Sequence, residues 1–252
     1  MGLIILLFAL CGVLTAIFFQ FFTMAPFLTI HNSKTQVSES SGQTVLKVPS
    51  ETPSPTNYPL PTDTLLPAAT TMPIPEPIFL AGSGDTSVDV HKWDGPAVLH
   101  ARYFGNENFV IRHYHTNSPG DIHTLISTTG PYEGTVPLDF QSGDQTGSFE
   151  IKAAGQWELQ IQPLETLPKI AIPATIEGGG DQVFAITGTP DVIKADATHV
   201  IARFQVYSFG DNGQQIVFNE IAPYSGISVV HPSTSMLAVH AEGPWELEVT
   251  TR

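Results

Sequence analysis

The chain has 252 residues, enough for one or two domains, and a formal net charge of −14 although only 13% of its side chains are charged. Past residue 78, 20 Asp and Glu stand against 8 Lys and Arg, a balance of −12. That charge repels phosphate backbones and offers no pull toward anionic lipid, so nucleic-acid binding is excluded as a leading reading.

The first element is apolar. Residues 2–30 carry no charged side chain, and Leu3–Phe22 is apolar apart from Thr15 and Gln20. Twenty such residues match a bilayer core as a helix, so residues 1–30 are expected to be a transmembrane anchor or an uncleaved signal segment. A cleaved signal would want a shorter core, a basic start and a small-residue cleavage site. The best such site here, Thr23-Met24-Ala25, is followed by Pro26. A lipoprotein reading would use Cys11, but Leu10 stands where a small residue is wanted. Cys11 is the single cysteine, so no disulfide forms within the chain and no cysteine-based metal site exists.

Residues 31–78 show no apolar period and read as a disordered Pro/Ser/Thr-rich linker. Nine prolines fall between Pro49 and Pro77. Proline removes ladder donors and favours extended polyproline II, which makes a semi-rigid spacer. A spacer of this kind places the C-terminal part outside the cytoplasm. The nearest basic residue, Lys34, lies on the C-terminal side and by the positive-inside rule argues the other way.

Two β-rich stretches follow. In residues 79–163, short alternating runs bounded by Gly, Pro, Asn and Asp predict strands near 86–91, 97–104, 108–115, 123–128, 135–140, 148–153 and 157–162. Gly105-Asn106, Ser118-Pro119-Gly120 and Ser142-Gly143-Asp144 read as turns. A short proline-bearing connector leads to residues 174–250, with strands predicted near 182–187, 192–194, 198–207, 214–219, 226–230, 235–241 and 245–250. Gly210-Asp211-Asn212-Gly213 reads as a hairpin loop. Six or seven short strands in each stretch argue for an all-β chain of two tandem antiparallel β-sandwiches, jelly-roll-like in type.

Three landmarks recur in order across the two stretches. Gly84-Asp85 returns as Gly180-Asp181, Pro131-Tyr132-Glu133-Gly134 as Pro223-Tyr224-Ser225-Gly226, and Gly155-Gln156-Trp157-Glu158-Leu159 as Gly243-Pro244-Trp245-Glu246-Leu247. The offsets of 96, 92 and 88 residues describe one domain duplicated, with short deletions in the second copy. Strand alternation puts Trp157 with Leu159 and Ile161, and Trp245 with Leu247 and Val249, so both tryptophans are expected in the core. The Pro-Tyr-x-Gly elements read as turns whose tyrosines cover a core edge and bond a backbone group.

Few residues invite a functional reading. Trp93, in the turn-like Lys92-Trp93-Asp94-Gly95, has no counterpart in the second copy and is the candidate ligand contact. His113 and His115 share one strand face at a spacing that can chelate a metal, if His100 or His123 supplies a third ligand. The segment does not fit the metal-binding cupin pattern, since no Glu follows within a few residues. Phe204 and Val206 stand at roughly these places in the second copy, which suggests an ordinary, partly buried face. Asp85 and Asp89, at the glycine-rich start, are the candidate calcium ligands, although Ala185 replaces Asp89 in the second copy and turn capping explains Asp85 as well. No catalytic motif appears, no cofactor is implied, and the expectation is that the chain is not an enzyme.

The repeat, with its Gly-x-Gly-Asp start, Pro-Tyr-x-Gly turn and Gly-x-Trp-Glu-Leu end, resembles an uncharacterised tandem β-domain repeat of bacterial surface proteins. It is more loosely similar to pre-peptidase C-terminal β-sandwiches. The resemblance implies a β-sandwich with an accessory role outside the cytoplasm and carries over no active residue. The expected protein is a single-pass membrane protein, anchored by residues 3–22, whose two sandwiches bind a glycan or surface protein. A structural or sensory ectodomain partnering another membrane protein is the alternative, and a secreted hydrolase the third reading.

Overall fold

A computed structural model of the protein describes residues 29–32 and 73–251. The first copy comprises β2 (Ile78–Ser83), β3 (Thr86–Asp89), β4 (Ala97–Tyr103), β5 (Asn108–His115), β6 (Ser118–Thr129), β7 (Tyr132–Leu138), β8 (Thr146–Ala153) and β9 (Gln156–Gln162). The second comprises β11 (Ala174–Gly179), β12 (Gln182–Thr187), β13 (Val192–Ala197), β14 (Ile201–Gly210), β15 (Gly213–Ile221), β16 (Tyr224–Val229), β17 (Thr234–Glu242) and β18 (Pro244–Thr250). Two short strands lie outside this pattern, β1 (Thr29–Asn32) and β10 (Lys169–Ala171).

Each copy folds into two four-stranded sheets. The first has β2-β9-β4-β7 and β3-β8-β5-β6, and the second has β11-β18-β13-β16 and β12-β17-β14-β15. Counted from one to eight within each copy, both read 1-8-3-6 and 2-7-4-5, the strand order of a jelly roll. In the second copy β1 extends the first sheet by pairing antiparallel with β11. β10 extends the other by pairing parallel with β12. Residues 31 and 32, expected to start the linker, are therefore in a strand paired with β11. The predicted anchor over residues 3–22 and nearly all of the linker lie outside the described residues. Among those described, no helix is long and apolar enough to cross a membrane.

Alternation along the strands builds two cores. Leu99, Phe109, Ile111, Phe149, Ile151 and Trp157 fill the first. Phe184, Phe204, Val206, Leu237, Trp245 and Leu247 fill the second. Both tryptophans are buried as expected, at 3% exposure each.

The sequence landmarks converge at one corner of each sandwich. Gly82 pairs with Trp157, and Gly178 with Trp245. A Cβ on either glycine would lie 2.4 Å from the indole, so only glycine leaves room for the ring. The next glycine turns the chain at positive φ, 75° at Gly84 and 70° at Gly180. Its carbonyl accepts the indole N–H, Trp157 Nε1 to Gly84 O at 3.2 Å and Trp245 Nε1 to Gly180 O at 3.0 Å. The aspartate then takes a backbone N–H from the opposite sheet: Ala153 N to Asp85 Oδ1 at 2.9 Å, Ala241 N to Asp181 Oδ1 at 3.1 Å. The glycine-rich stretches, where no strand was predicted, are strands β2 and β11, because their glycines are packing sites for tryptophan.

The copies are joined by a third apolar cluster. Val98 of the first copy and Leu167 of the connector pack with Val183, Phe209, Met236 and Ala238, and Phe140 and Tyr207 flank them. Phe140 and Phe209 meet with ring centroids 4.5 Å apart. Beside the cluster, Tyr132 donates its hydroxyl to Asp181 Oδ2 at 2.7 Å, and Thr135 N donates to Asp181 O at 2.9 Å. The tyrosine was expected to bond a backbone group; it bonds a carboxylate of the other copy instead. Burial and the neighbouring carboxylate push its hydroxyl well above the usual tyrosine range. Asp181 also meets His240 Nδ1 at 2.8 Å. This partner draws the imidazole pKa upward from 6.5.

Candidate functional site

The inward face of β5 begins as core and ends polar. Phe109 and Ile111 are followed on the same face by His113 and His115, each 5% exposed. The two rings stand edge to face with centroids 4.7 Å apart. β6 runs antiparallel to β5 and sets His123 directly opposite His113. Its ring centroid lies 5.6 Å from that of His113 and 5.4 Å from that of His115. Of the two histidines that sequence offered as a third partner, His123 is therefore brought in. His100 is not: it lies on β4 in the other sheet, where Nδ1 meets Thr135 Oγ1 at 3.1 Å.

The second copy lacks this cluster. Phe109 and Ile111 pair with Ala153 and Ile151, as Phe204 and Val206 pair with Ala241 and Val239. The counterparts of His113 and His115 are thus Ser208 and Gly210, not Phe204 and Val206. The histidines have no apolar equivalents, and the alignment with Phe204 and Val206 is corrected.

Asp139 completes the group, and nothing in the sequence marked it. It follows β7, with a left-handed φ of 57° that aspartate tolerates better than most residues. Its carboxylate is fully buried and lies 3.0 Å from Lys92 Nζ, itself fully buried. Thr146 donates twice to it, from N to Oδ2 at 2.8 Å and from Oγ1 to Oδ1 at 2.7 Å. Oδ1 also faces both imidazoles, at 3.9 Å from His113 Nδ1 and 3.8 Å from His115 Nε2. His113 Nδ1 lies 2.9 Å from Thr146 Oγ1, and His115 Nδ1 lies 3.9 Å from Asp144 Oδ1. One potential ligand atom from each of His113, His115 and Asp139 lies within 4.8 Å of the other two.

The cluster opens into a cleft of about 430 Å³ between the two copies. Its first-copy wall carries the three histidines, Asp139, Phe140 and Asp144. The second-copy wall carries Gln205, Tyr207, Phe209, Gln214 and His240. Because that wall is the outer face of the β14 sheet, the cleft exists only once the two sandwiches are docked.

The other candidates are otherwise engaged. Trp93 is half-buried against the first core. Its carbonyl accepts from Lys92 Nζ at 3.0 Å, and the same ammonium lies 5.8 Å from its ring centroid. It is not a free platform. Asp85 accepts from Ala153 N in the opposite sheet and pairs with Lys152 at 3.5 Å, a bond between sheets rather than within its own turn. Asp89 is exposed at the end of β3, remote in register from Asp85 on the same strand edge.

No family model matches the chain, and no curated protein does. Three solved structures with some likeness come from viruses. One is the atomic structure of Sulfolobus Turreted Icosahedral Virus, 15% identical, covering 69% of this chain and 58% of that one at a TM-score of 0.23. Another describes a triple jelly roll fold and turret assembly in an archaeal virus, 13% identical over the same shares at 0.22. A third is the stem and receptor binding domain of spike protein P1 from bacteriophage PM2, 10% identical, covering 72% of this chain and 81% of that one at 0.18. The chain spans 58% of the length of the first two, and likenesses this distant carry neither a fold nor a role across to it.

Proposed function

We propose that this chain is a membrane-tethered, extracytoplasmic binding module, non-catalytic, that presents two β-sandwiches as one rigid body. The observation that supports it best is the junction. An apolar cluster and the Tyr132–Asp181 bond fix the copies together and leave the histidine-lined cleft between them. A fixed cleft favours binding, because little ordering remains to be done when the ligand arrives. The apolar segment 3–22 and the proline tract supply the tether and the reach in this reading, and the resemblance to bacterial surface repeats agrees with it. The ligand class is a glycan or a surface protein.

The test has two arms. Full-length protein in its host is expected in the membrane fraction, resistant to high salt, released by detergent and digested by protease added to intact cells. Binding to a glycan array or to whole cells is expected to be lost when Gln214→Trp blocks the cleft. Protein found wholly soluble, or binding untouched by Gln214→Trp, would overturn the corresponding half of the proposal.

One observation favours the hydrolase reading: titratable side chains converge in the cleft. Against it, the Asp139 carboxylate is taken up by Lys92 and Thr146. No serine or cysteine lines the cleft as a nucleophile. Ester or glycoside hydrolysis that disappears with His115→Asn would favour the enzyme.

A further inference from the structure

We infer that His113, His115 and Asp139, joined by His123, form a site for a first-row divalent transition metal of the zinc type. The inference stands on side-chain placement and is independent of the display role. Imidazole and carboxylate ligands suit zinc, cobalt, nickel or copper, whereas calcium and magnesium take oxygen donors almost alone. The available donors are two buried imidazoles on one strand face, a third directly across the hairpin and one buried carboxylate oxygen. In a tetrahedral site with bonds of about 2.0–2.2 Å, neighbouring donors lie roughly 3.3 Å apart. Asp139 Oδ1 is 3.8 Å from His115 Nε2 and 3.9 Å from His113 Nδ1, and one ligand atom of each of the three residues lies within 4.8 Å of the others, so small side-chain rotations close the set.

The surroundings orient these groups as outer partners orient metal ligands. Thr146 Oγ1 lies 2.9 Å from His113 Nδ1 and fixes the orientation of that ring. Lys92 and Thr146 N hold Oδ2 of Asp139 and Thr146 Oγ1 donates to Oδ1, which fixes the carboxylate with Oδ1 also facing the two rings. The cleft gives the ion a way in and keeps one side of it open to a further ligand. The second copy, with Ser208 and Gly210 at the histidine positions, has no such set. Among the described residues the site is therefore present in the first copy alone.

The full chain, held in mild detergent and stripped with chelator, is titrated with Co²⁺ and then challenged with Zn²⁺. The expected result is visible absorption of a low-symmetry cobalt site, saturating at one equivalent and displaced by zinc. His115→Asn and His123→Ala should each weaken binding by more than the roughly 10–100-fold that loss of an outer partner brings. His231→Ala, at an exposed histidine bonded to Asn212, should leave it unchanged. His123 is exposed, so its variant reports even where His115→Asn fails to fold. Binding at no defined stoichiometry, or one equivalent that survives His123→Ala in folded protein, overturns the assignment.

Discussion

Removing Trp245 tests whether the repeated glycine and tryptophan form one packing unit. Trp245→Ala takes away a ring that is 3% exposed and an indole N–H bonded to Gly180 O at 3.0 Å. Truncation of so large a buried side chain costs about 3–5 kcal/mol. Gly178→Ala alone places a methyl 2.4 Å from the ring edge, an overpacking expected to cost about 1–3 kcal/mol. Once the ring is gone, the nearest remaining atom is Gln182 Oε1 at 2.9 Å, the end of a flexible side chain that can move aside. Gly178 has an ordinary negative φ, so in the Trp245→Ala background the added alanine should be neutral or stabilise by about 0.4–1 kcal/mol through the unfolded chain. The double variant should thus be more stable than the sum of the singles by about 1–3 kcal/mol, the coupling expected of residues in contact. Urea unfolding followed by far-UV circular dichroism reads this without relying on tryptophan fluorescence. A cost for Gly178→Ala that is the same in both backgrounds would show that the ring does not lie over Gly178, and would undo the explanation of the motif.

Four further outcomes are expected. Lys92→Met leaves the buried Asp139 carboxylate without its ammonium partner and should lower stability by about 3–5 kcal/mol in equilibrium unfolding. Tyr132→Phe removes a hydrogen bond to a charged acceptor worth about 1.5–3 kcal/mol, and calorimetry should show the two sandwiches unfolding at more widely separated temperatures. His240 has a folded pKa raised above 6.5, first by its hydrogen bond to Asp181, so its contribution is fully present below pH 6.5 and fades as pH rises through the raised value. Wild type should lose more stability than His240→Gln between pH 6 and 8; the comparison is needed because burial lowers the His100 pKa and gives that residue the opposite slope. Glu246→Ala, on the solvent face beside Trp245, should shift stability by less than about 0.5 kcal/mol.

The sequence by itself determined the duplication, the all-β class and the inward faces of most strands. Strand side chains alternate with a period of two, so Trp157, Leu159 and Ile161 declare one face without any knowledge of their neighbours. Turn glycines and prolines are equally local, which is why most strand limits were legible. Where the local rule failed, a distant contact had overridden it. Gly82 and Gly178 looked like loop residues, yet each sits in a strand under an indole that arrives more than 60 residues later. The turn expected at residues 118–120 moved to Thr116-Asn117, and β6 starts at once after it, paired to β5. The candidate site followed the same division. The pair His113 and His115 was visible because both lie on one strand. Register across the β5–β6 hairpin chose His123 over His100, and the crossing from β7 to β8 delivered Asp139. The cleft walls come from opposite copies. The hairpin pairing is local but depends on where its turn falls; Asp139 and the second cleft wall are contacts between segments far apart in the chain, and such contacts follow from sheet order and docking, which no short window of sequence contains.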